Sequence, residues 1–162
     1  MRIAVSGTSG LLGSALAPAL AAGHEVVPIR RAGGAGIAWD GRAAFDAAAL
    51  RRCHAIVHLA GAGIGDRRWS AARMREIRDS RVVPTAALAA LLAEDPGAVR
   101  ILVVASGAGY YGERGEEAVD ETAGAGGGFL AGVCRDWEAA ADACRSRVRV
   151  VHLRLGVVLT AA

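Results

Sequence analysis

The sequence predicts an α/β fold in which helices cover both faces of a doubly wound parallel sheet. Short apolar segments alternate with helical patterns along the whole chain, the order of elements that βαβ units produce. The apolar segments are continuous rather than alternating, as expected for strands that are buried on both faces. A length of 162 residues is typical of one domain and is enough to bury a core without disulfides or metal. Residues 1–162 are therefore predicted to be a single domain.

The elements follow one another from the start of the chain. Hydrophobic runs predict six strands, at Ile3–Ser6, Glu25–Ile29, Ile37–Trp39, Ala55–Ala60, Arg100–Ala105 and Val148–Leu155. The segments between them predict four helices, at Leu11–Ala22, Ala43–Arg52, Ser70–Glu94 and Phe129–Cys144. The last helix has apolar residues every four positions, which favours packing against a sheet. Because Pro18 and Pro84 lie inside predicted helices, we expect a kink or a boundary at each.

Composition and charge exclude several classes of protein. Hydrophobic residues make up 53% of the chain and charged residues 22%, which excludes a disordered or fibrous protein. The net charge of +3 is too small to indicate a nucleic-acid partner. The basic residues of the third helix are interleaved with acidic ones, so we interpret them as a solvated helix face. These basic residues are Arg73, Arg75, Arg78 and Arg81.

The spacing of the cysteines and the pattern at the N-terminus predict the cellular compartment. Cys53, Cys134 and Cys144 form no CxxC motif, and an odd number cannot pair completely, which favours a reducing environment. The apolar start, Met1–Val5, runs directly into a glycine motif and is expected to be a strand rather than a signal peptide. No apolar run is long enough for a membrane span, and no cluster of residues has metal-ligand spacing. We predict a cytoplasmic protein with no membrane or metal partner.

A glycine-rich segment joins the first strand to the first helix. It consists of Gly7, Thr8, Ser9, Gly10, Leu11, Leu12 and Gly13. In a strand–turn–helix context the first glycine permits a tight turn, the second lets the backbone approach a pyrophosphate, and the third lets helix and strand pack closely. The helix N-terminus supplies free N–H groups for the phosphates. This pattern predicts a Rossmann-like fold that binds a dinucleotide, and the alternative is a purely structural turn.

The end of the second strand predicts which dinucleotide binds. A carboxylate there would bind the ribose 2′-hydroxyl of NAD(H), but this chain has Arg30 and Arg31. A guanidinium pairs with a 2′-phosphate, so NADP(H) is predicted as the preferred cofactor, with NAD(H) as the weaker ligand. The alternative is a pair of solvated arginines on a loop. At the end of the fourth strand, Leu59, Ala60 and Gly61 are expected to border the adenine-ribose side of the cofactor.

The glycine motif, with the later segment His58–Gly61, resembles the extended short-chain dehydrogenase/reductase superfamily of nucleotide-sugar epimerases and dehydratases. Further segments are similar to the YfcH-like epimerase family, and the resemblance covers essentially the entire chain. These segments are Arg68–Ser70, Arg75–Arg81, Ser106–Gly112, Phe129–Ala131 and Cys134–Glu138. The resemblance implies an NAD(P)-dependent oxidoreductase or isomerase that acts on a small carbonyl, alcohol or sugar.

The resemblance also implies a longer protein. Members of that family run to roughly twice this length, with a C-terminal substrate-binding region after the strand that here carries Arg154–Gly156. We therefore expect a shortened chain in which any substrate pocket is only half built. Apolar surface left exposed at that position commonly drives association, so a homodimer is predicted.

Catalytic residues are the part of the resemblance that this chain departs from. The superfamily places Tyr-x-x-x-Lys on the helix after the fifth strand, where the Tyr is the general acid/base and the Lys lowers its pKa and holds the nicotinamide ribose. When the sequences are aligned through Glu138, these positions are Leu130 and Cys134, neither of which replaces the missing group. The chain is therefore either an atypical enzyme that transfers hydride or a cofactor-binding sensor or scaffold without chemistry.

Two residues remain as catalytic candidates. Ser106 ends the fifth strand and is expected to donate a hydrogen bond to a substrate carbonyl, with a strand-end cap as the alternative. Tyr110 lies in the next loop as a candidate proton donor, with a packing tyrosine as the alternative. Cys134 is interpreted as a small core residue unless an electropositive helix N-terminus makes its thiol reactive.

Overall fold

Six parallel strands form one sheet in the computed structural model, which describes residues 1–31 and 34–159. The other five residues of the predicted domain lie outside this description. The strands are β1 (Arg2–Ser6), β2 (Glu25–Arg31), β3 (Ile37–Trp39), β4 (Ala55–His58), β5 (Ile101–Gly107) and β6 (Arg149–Leu155). The helices are α1 (Leu11–Ala21), α2 (Ala47–Arg51), α3 (Ala71–Glu94) and α4 (Phe129–Asp142), with one 3₁₀ turn at Ala108–Tyr111.

The strand order is β3-β2-β1-β4-β5-β6, so the direction in which the sheet grows reverses at β1. Strand β1 pairs in parallel with β2 on one side and with β4 on the other, and Ser6 at its end is level with Ile29 and His58. Three strand ends therefore meet at one edge of the sheet. This arrangement confirms the predicted doubly wound, Rossmann-like fold.

Helices cover both faces of the sheet, as the continuous apolar strands predict. Ile3 and Val5 belong to a cluster on one face that includes Leu16 and Leu20 of α1. The alternate residue Ala4 belongs to the larger cluster on the other face, which receives side chains from α2, α3 and α4. Burial of both faces explains why polar residues do not alternate along β1 and β4. None of the described helices has the length and apolar character needed to cross a bilayer.

The start of one helix needs correction, and the two prolines lie inside helices. Helix α2 begins at Ala47 rather than Ala43, because the Asp46 carboxylate caps it by accepting a 3.0 Å hydrogen bond from the Ala49 N–H. The preceding residues form a turn in which Asp40 accepts the N–H groups of residues 42 and 44. Helices α1 and α3 continue through Pro18 and Pro84, so neither proline ends its helix. Pro84 is buried, and packing of the helix face compensates for the lost backbone hydrogen bond.

Candidate functional site

A cleft of about 1090 Å³ opens at the edge of the sheet where β1, β2 and β4 end. Predicted site residues that line it are Gly7, Thr8, Ser9, Gly10, Arg30, Arg31, Leu59, Ala60 and Gly61. The predicted residues Leu11, Leu12 and Gly13 lie in the first turn of α1 and are not part of the lining. Open α/β sheets bind their ligands where the strand order reverses, and this cleft lies at that point.

The glycine loop has the close approach between strand and helix that its spacing predicts. Gly7 has φ of 72°, a conformation that side chains disfavour, and its carbonyl accepts the Gly10 N–H at 3.0 Å. A Cβ atom on Gly13 would collide with the Gly7 carbonyl oxygen. Helix α1 therefore starts directly against the end of β1, which leaves its N-terminus, at Gly10, facing the cleft.

The N-terminus of α1 has no cap of its own. Helices α2 and α3 begin with Asp46 and Ser70, whose side chains accept a backbone N–H. Helix α1 begins at Gly10 with no capping side chain and no acidic residue in its first turn. Its first N–H groups are left for an external acceptor, and the positive end of the helix dipole favours an anion. This donor set fits a phosphate group.

A buried hydrogen-bond network fixes the end of β4 beside the glycine loop. The Ser6 hydroxyl accepts the N–H groups of Leu59 at 3.1 Å and Ala60 at 3.2 Å. Because both of its acceptor positions are used, the hydroxyl donates its proton to His58 Nδ1 at 2.8 Å. His58 is thus the neutral tautomer protonated at Nε2, and burial lowers its pKa to about 4. His58 is therefore a buried, hydrogen-bonded residue.

The far side of the cleft carries positive charge. Arg30 and Arg31 at the end of β2 are exposed, and the Arg31 guanidinium lies 5.7 Å from the centre of the Trp39 ring. Trp39 is stacked on Phe45, with ring centres 5.3 Å apart, so this wall is aromatic. The described lining contains no Asp or Glu. The charge balance of this wall suits an anionic ligand.

A second polar cluster lies at the ends of β5 and β6. Arg154 forms a two-pronged ion pair with Glu138, with both N–O distances 2.9 Å. Burial favours the neutral carboxyl, but the hydrogen bonds from Arg154 and Ser106 outweigh it and hold the pKa of Glu138 below its usual value. Arg154 also donates to the Tyr111 hydroxyl at 3.0 Å and lies 3.6 Å from the centre of the Tyr110 ring. Glu138 and Arg154 were absent from the predicted site residues.

This cluster changes the role expected for Ser106. Its hydroxyl donates to Glu138 Oε1 at 2.7 Å, and the side chain is buried. A serine has one proton to donate, so Ser106 offers a ligand only an acceptor, and the expected donation to a substrate carbonyl does not agree with this geometry. Cys134, next to it, is also buried, and burial raises the pKa of its thiol, so the thiol stays protonated rather than reactive.

The arginines of α3 form more than a solvated face. Arg75 and Arg78 are exposed, as predicted, but Arg73 and Arg81 are only 5% and 8% exposed. Arg73 forms ion pairs with Asp66 and with Glu76. The interpretation was wrong for these two residues, because charge alternation along a helix does not show which side chains face the rest of the fold. Among the described residues, no group of three His, Cys, Asp or Glu side chains is placed to hold a metal.

The fold and the cleft together define a doubly wound α/β domain of the dinucleotide-binding type. The model of the NAD dependent epimerase/dehydratase family matches residues 3–126. The chain is 45% identical over 166 residues to the epimerase family protein Mb2239 of Mycobacterium bovis, a match that covers 99% of this chain and 54% of the relative.

Two solved structures are also similar. The human epimerase family protein SDR39U1 (isoform 2) with NADPH has a TM-score of 0.85 and 34% identity, over 100% of this chain and 56% of that one. The nucleoside-diphosphate sugar epimerase from Corynebacterium glutamicum has a TM-score of 0.83 and 35% identity, over 99% and 34% of the two chains. The chain spans about half the length of the curated relatives it matches.

This chain therefore belongs to the NAD dependent epimerase/dehydratase family. The predicted resemblance is confirmed, including its atypical branch, since the SDR39U1 protein of Bos taurus and the human structure match nearly the whole chain.

Proposed function

We propose that the chain is the NADP(H)-binding domain of an atypical short-chain dehydrogenase/reductase that transfers hydride to or from a small carbonyl, alcohol or sugar. The observation that carries the proposal is the uncapped N-terminus of α1, at Gly10, facing a cleft whose opposite wall holds Arg30 and Arg31. The first feature suits a pyrophosphate and the second a 2′-phosphate. The related human protein whose structure contains NADPH supports the same choice of cofactor.

The residues divide the work of binding. Gly7 and Gly10 let the backbone come close to the phosphates, and the free N–H groups of α1 would hold them. Arg30 and Arg31 would hold the 2′-phosphate, which distinguishes NADP(H) from NAD(H). When bound, the nicotinamide group supplies the hydride chemistry. The proposed partners are this dinucleotide and a small-molecule substrate, and the proposal includes no nucleic acid or membrane.

Titration calorimetry with NADPH and NADH tests this assignment. We expect the unmodified chain to bind NADPH more tightly than NADH. The Arg30→Ala/Arg31→Ala variant should lose about 10- to 100-fold in NADPH affinity, since charge-assisted hydrogen bonds contribute about 1.5–3 kcal/mol. Its NADH affinity should change little.

Arg75→Ala is the matched control, because Arg75 is an exposed arginine on α3 that does not line the cleft. It should leave both affinities unchanged. Equal binding of NADPH and NADH by the unmodified chain would remove the proposed role of the arginine pair. Binding of neither would contradict the proposal as a whole.

A second candidate, an NADPH-binding sensor or scaffold without chemistry, is favoured by a specific observation. In the alignment that the family resemblance implies, Leu130 and Cys134 stand where the catalytic Tyr and Lys would be, and the Cys134 thiol is buried and protonated. The two candidates differ in the consequence of Tyr110→Phe, which removes the hydroxyl of the remaining candidate proton donor. For an enzyme we expect a loss of NADPH oxidation of about 10-fold or more with an unchanged NADPH Kd, as for removal of a group that acts only in the reaction. A sensor would bind NADPH, and no carbonyl compound in a chemically varied panel would cause the protein to oxidise it.

A further inference from the structure

Arg81 is a buried cation without a carboxylate partner. It lies on α3 and is 8% exposed. The ion pairs of the described residues include Arg73 on the same helix but none with Arg81. Burial of a guanidinium without a counter-charge is unfavourable, so a side chain in this state normally has a partner.

The hydrogen bonds of Arg81 are also incomplete. Its Nη1 donates to the Ile77 carbonyl at 2.9 Å and to the Ser80 hydroxyl at 3.4 Å. No protein acceptor is described for Nε or Nη2. Neither atom is among the fully buried, unpartnered polar atoms of the described residues, so both remain accessible to solvent or to a ligand. A guanidinium has five N–H donors in a planar fork, and here part of that fork is free.

The surroundings hold the guanidinium in one place. It lies 5.2 Å from the centre of the Trp137 ring on α4. Trp137 is itself fixed, because its indole N–H donates to the Thr85 hydroxyl at 2.9 Å, one turn after Arg81 on α3. On the other side, a Cβ atom on Gly61 would come within 3.1 Å of the guanidinium carbon. Arg81 thus lies between the end of β4 and α4.

This location adjoins the proposed cofactor cleft. Gly61 lines the cleft. Across the sheet, β2 is followed by β1, then β4, then β5. With the 2′-phosphate at β2 and the pyrophosphate at the loop after β1, the remaining half of a dinucleotide continues beyond β1 towards β4. Arg81 is also close enough to Cys134 for its charge to act on that thiol.

We propose that Arg81 binds oxygen atoms of the nicotinamide-ribose half of NADPH and supplies the fixed positive charge that Cys134 lacks. The inference rests on the proposed function, since it assumes that the cleft binds NADPH. It assigns a binding role to a residue of α3, whereas the family pattern places this charge on the helix that follows β5. The partner missing from the buried guanidinium is then the ligand.

The test compares NADPH with adenosine 2′,5′-bisphosphate, which has the adenosine half and the 2′-phosphate but no nicotinamide ribose. For Arg81→Met we expect NADPH affinity to fall about 10- to 100-fold while the affinity for the bisphosphate stays within about twofold. Arg30→Ala/Arg31→Ala should weaken both ligands. The two sets of residues are thereby assigned to different halves of the cofactor.

Two further variants separate charge from packing. Arg73→Met removes a buried arginine of the same helix that already has carboxylate partners, so it should leave the ratio of the two affinities unchanged. Arg81→Met/Cys134→Lys returns a positive charge to the same space from α4 and should recover most of the NADPH affinity. Arg81→Gln, which keeps a polar tip without charge, replaces Arg81→Met if the methionine variant does not fold.

The outcomes distinguish this inference from the proposed function. If the unmodified chain binds neither ligand, the proposed function fails. If it binds both, and Arg81→Met or Arg81→Gln keeps the same ratio of affinities, only the role of Arg81 is overturned. If Arg81→Met selectively loses NADPH affinity and Arg81→Met/Cys134→Lys does not recover it, the claim that Arg81 supplies a positive charge is overturned.

Discussion

His58 gives the fold a defined dependence on pH. Its pKa is about 4 in the folded chain because the ring is buried, against 6.5 for an exposed histidine. Between these values the unfolded chain takes up a proton that the folded chain does not. The free energy of unfolding is therefore fully retained above pH 6.5 and falls as the pH is lowered towards 4, by about 3 kcal/mol in total.

Urea denaturation between pH 7 and pH 5 would measure this slope. Glu138 does not interfere, because its pKa is below its usual value of 4.5 and its stabilisation is lost only at lower pH. His58→Gln should be less stable at pH 7 and should have a flatter slope. His54→Gln, which removes an exposed histidine, is the matched control. A slope unchanged by His58→Gln would show that His58 is not the titrating group.

Individual residues differ in how well the local sequence predicts their structural role. The roles of Gly10 and Gly13 follow from their spacing, because the Gly7 carbonyl that each approaches lies in the same strand–turn–helix unit. Arg81 has partners from β4 and α4, which are far away along the chain. Its local pattern, arginines alternating with acids, is equally typical of a solvated surface. Only the packing of α3 against α4 shows that its side chain is buried.

The same contrast appears among the elements. The alternation of apolar and helical segments was sufficient to predict every strand, since each is a continuous hydrophobic run in a parallel sheet. The start of α2 was predicted four residues too early, because residues 43–46 are helix-compatible in composition. Two carboxylates determine where α2 begins, because Asp40 stabilises the preceding turn and Asp46 caps the helix.

The cluster around Glu138 could not have been derived from any one element. Ser106 and Arg154 are level with each other because β5 and β6 pair in parallel, and Glu138 reaches both from α4. Three elements thus contribute one group each to a buried, charge-balanced network. Such a network specifies how α4 is seated on the strand ends, since removing one partner leaves a buried charge unpaired.

At the scale of the whole molecule, β6 is an edge strand with apolar residues exposed near its end. Leu153 is 37% exposed on the strand, and beyond it Val157 and Leu159 are 91% and 87% exposed. Exposed strand edges and contiguous apolar patches favour association. We propose that a second copy of this chain occupies this edge, giving the homodimer that the sequence predicts.

Light scattering after size-exclusion chromatography would detect this dimer. The measured mass should rise with protein concentration over about a hundredfold range, because the dimer fraction follows mass action. Val157→Asp/Leu159→Asp should shift the chain to a monomer, because a charged pair on the patch opposes its burial against a second copy. NADPH binding should persist in this variant, since neither residue lines the cleft. A monodisperse monomer at every concentration of the unmodified chain would contradict the dimer and leave the edge for a partner other than a second copy.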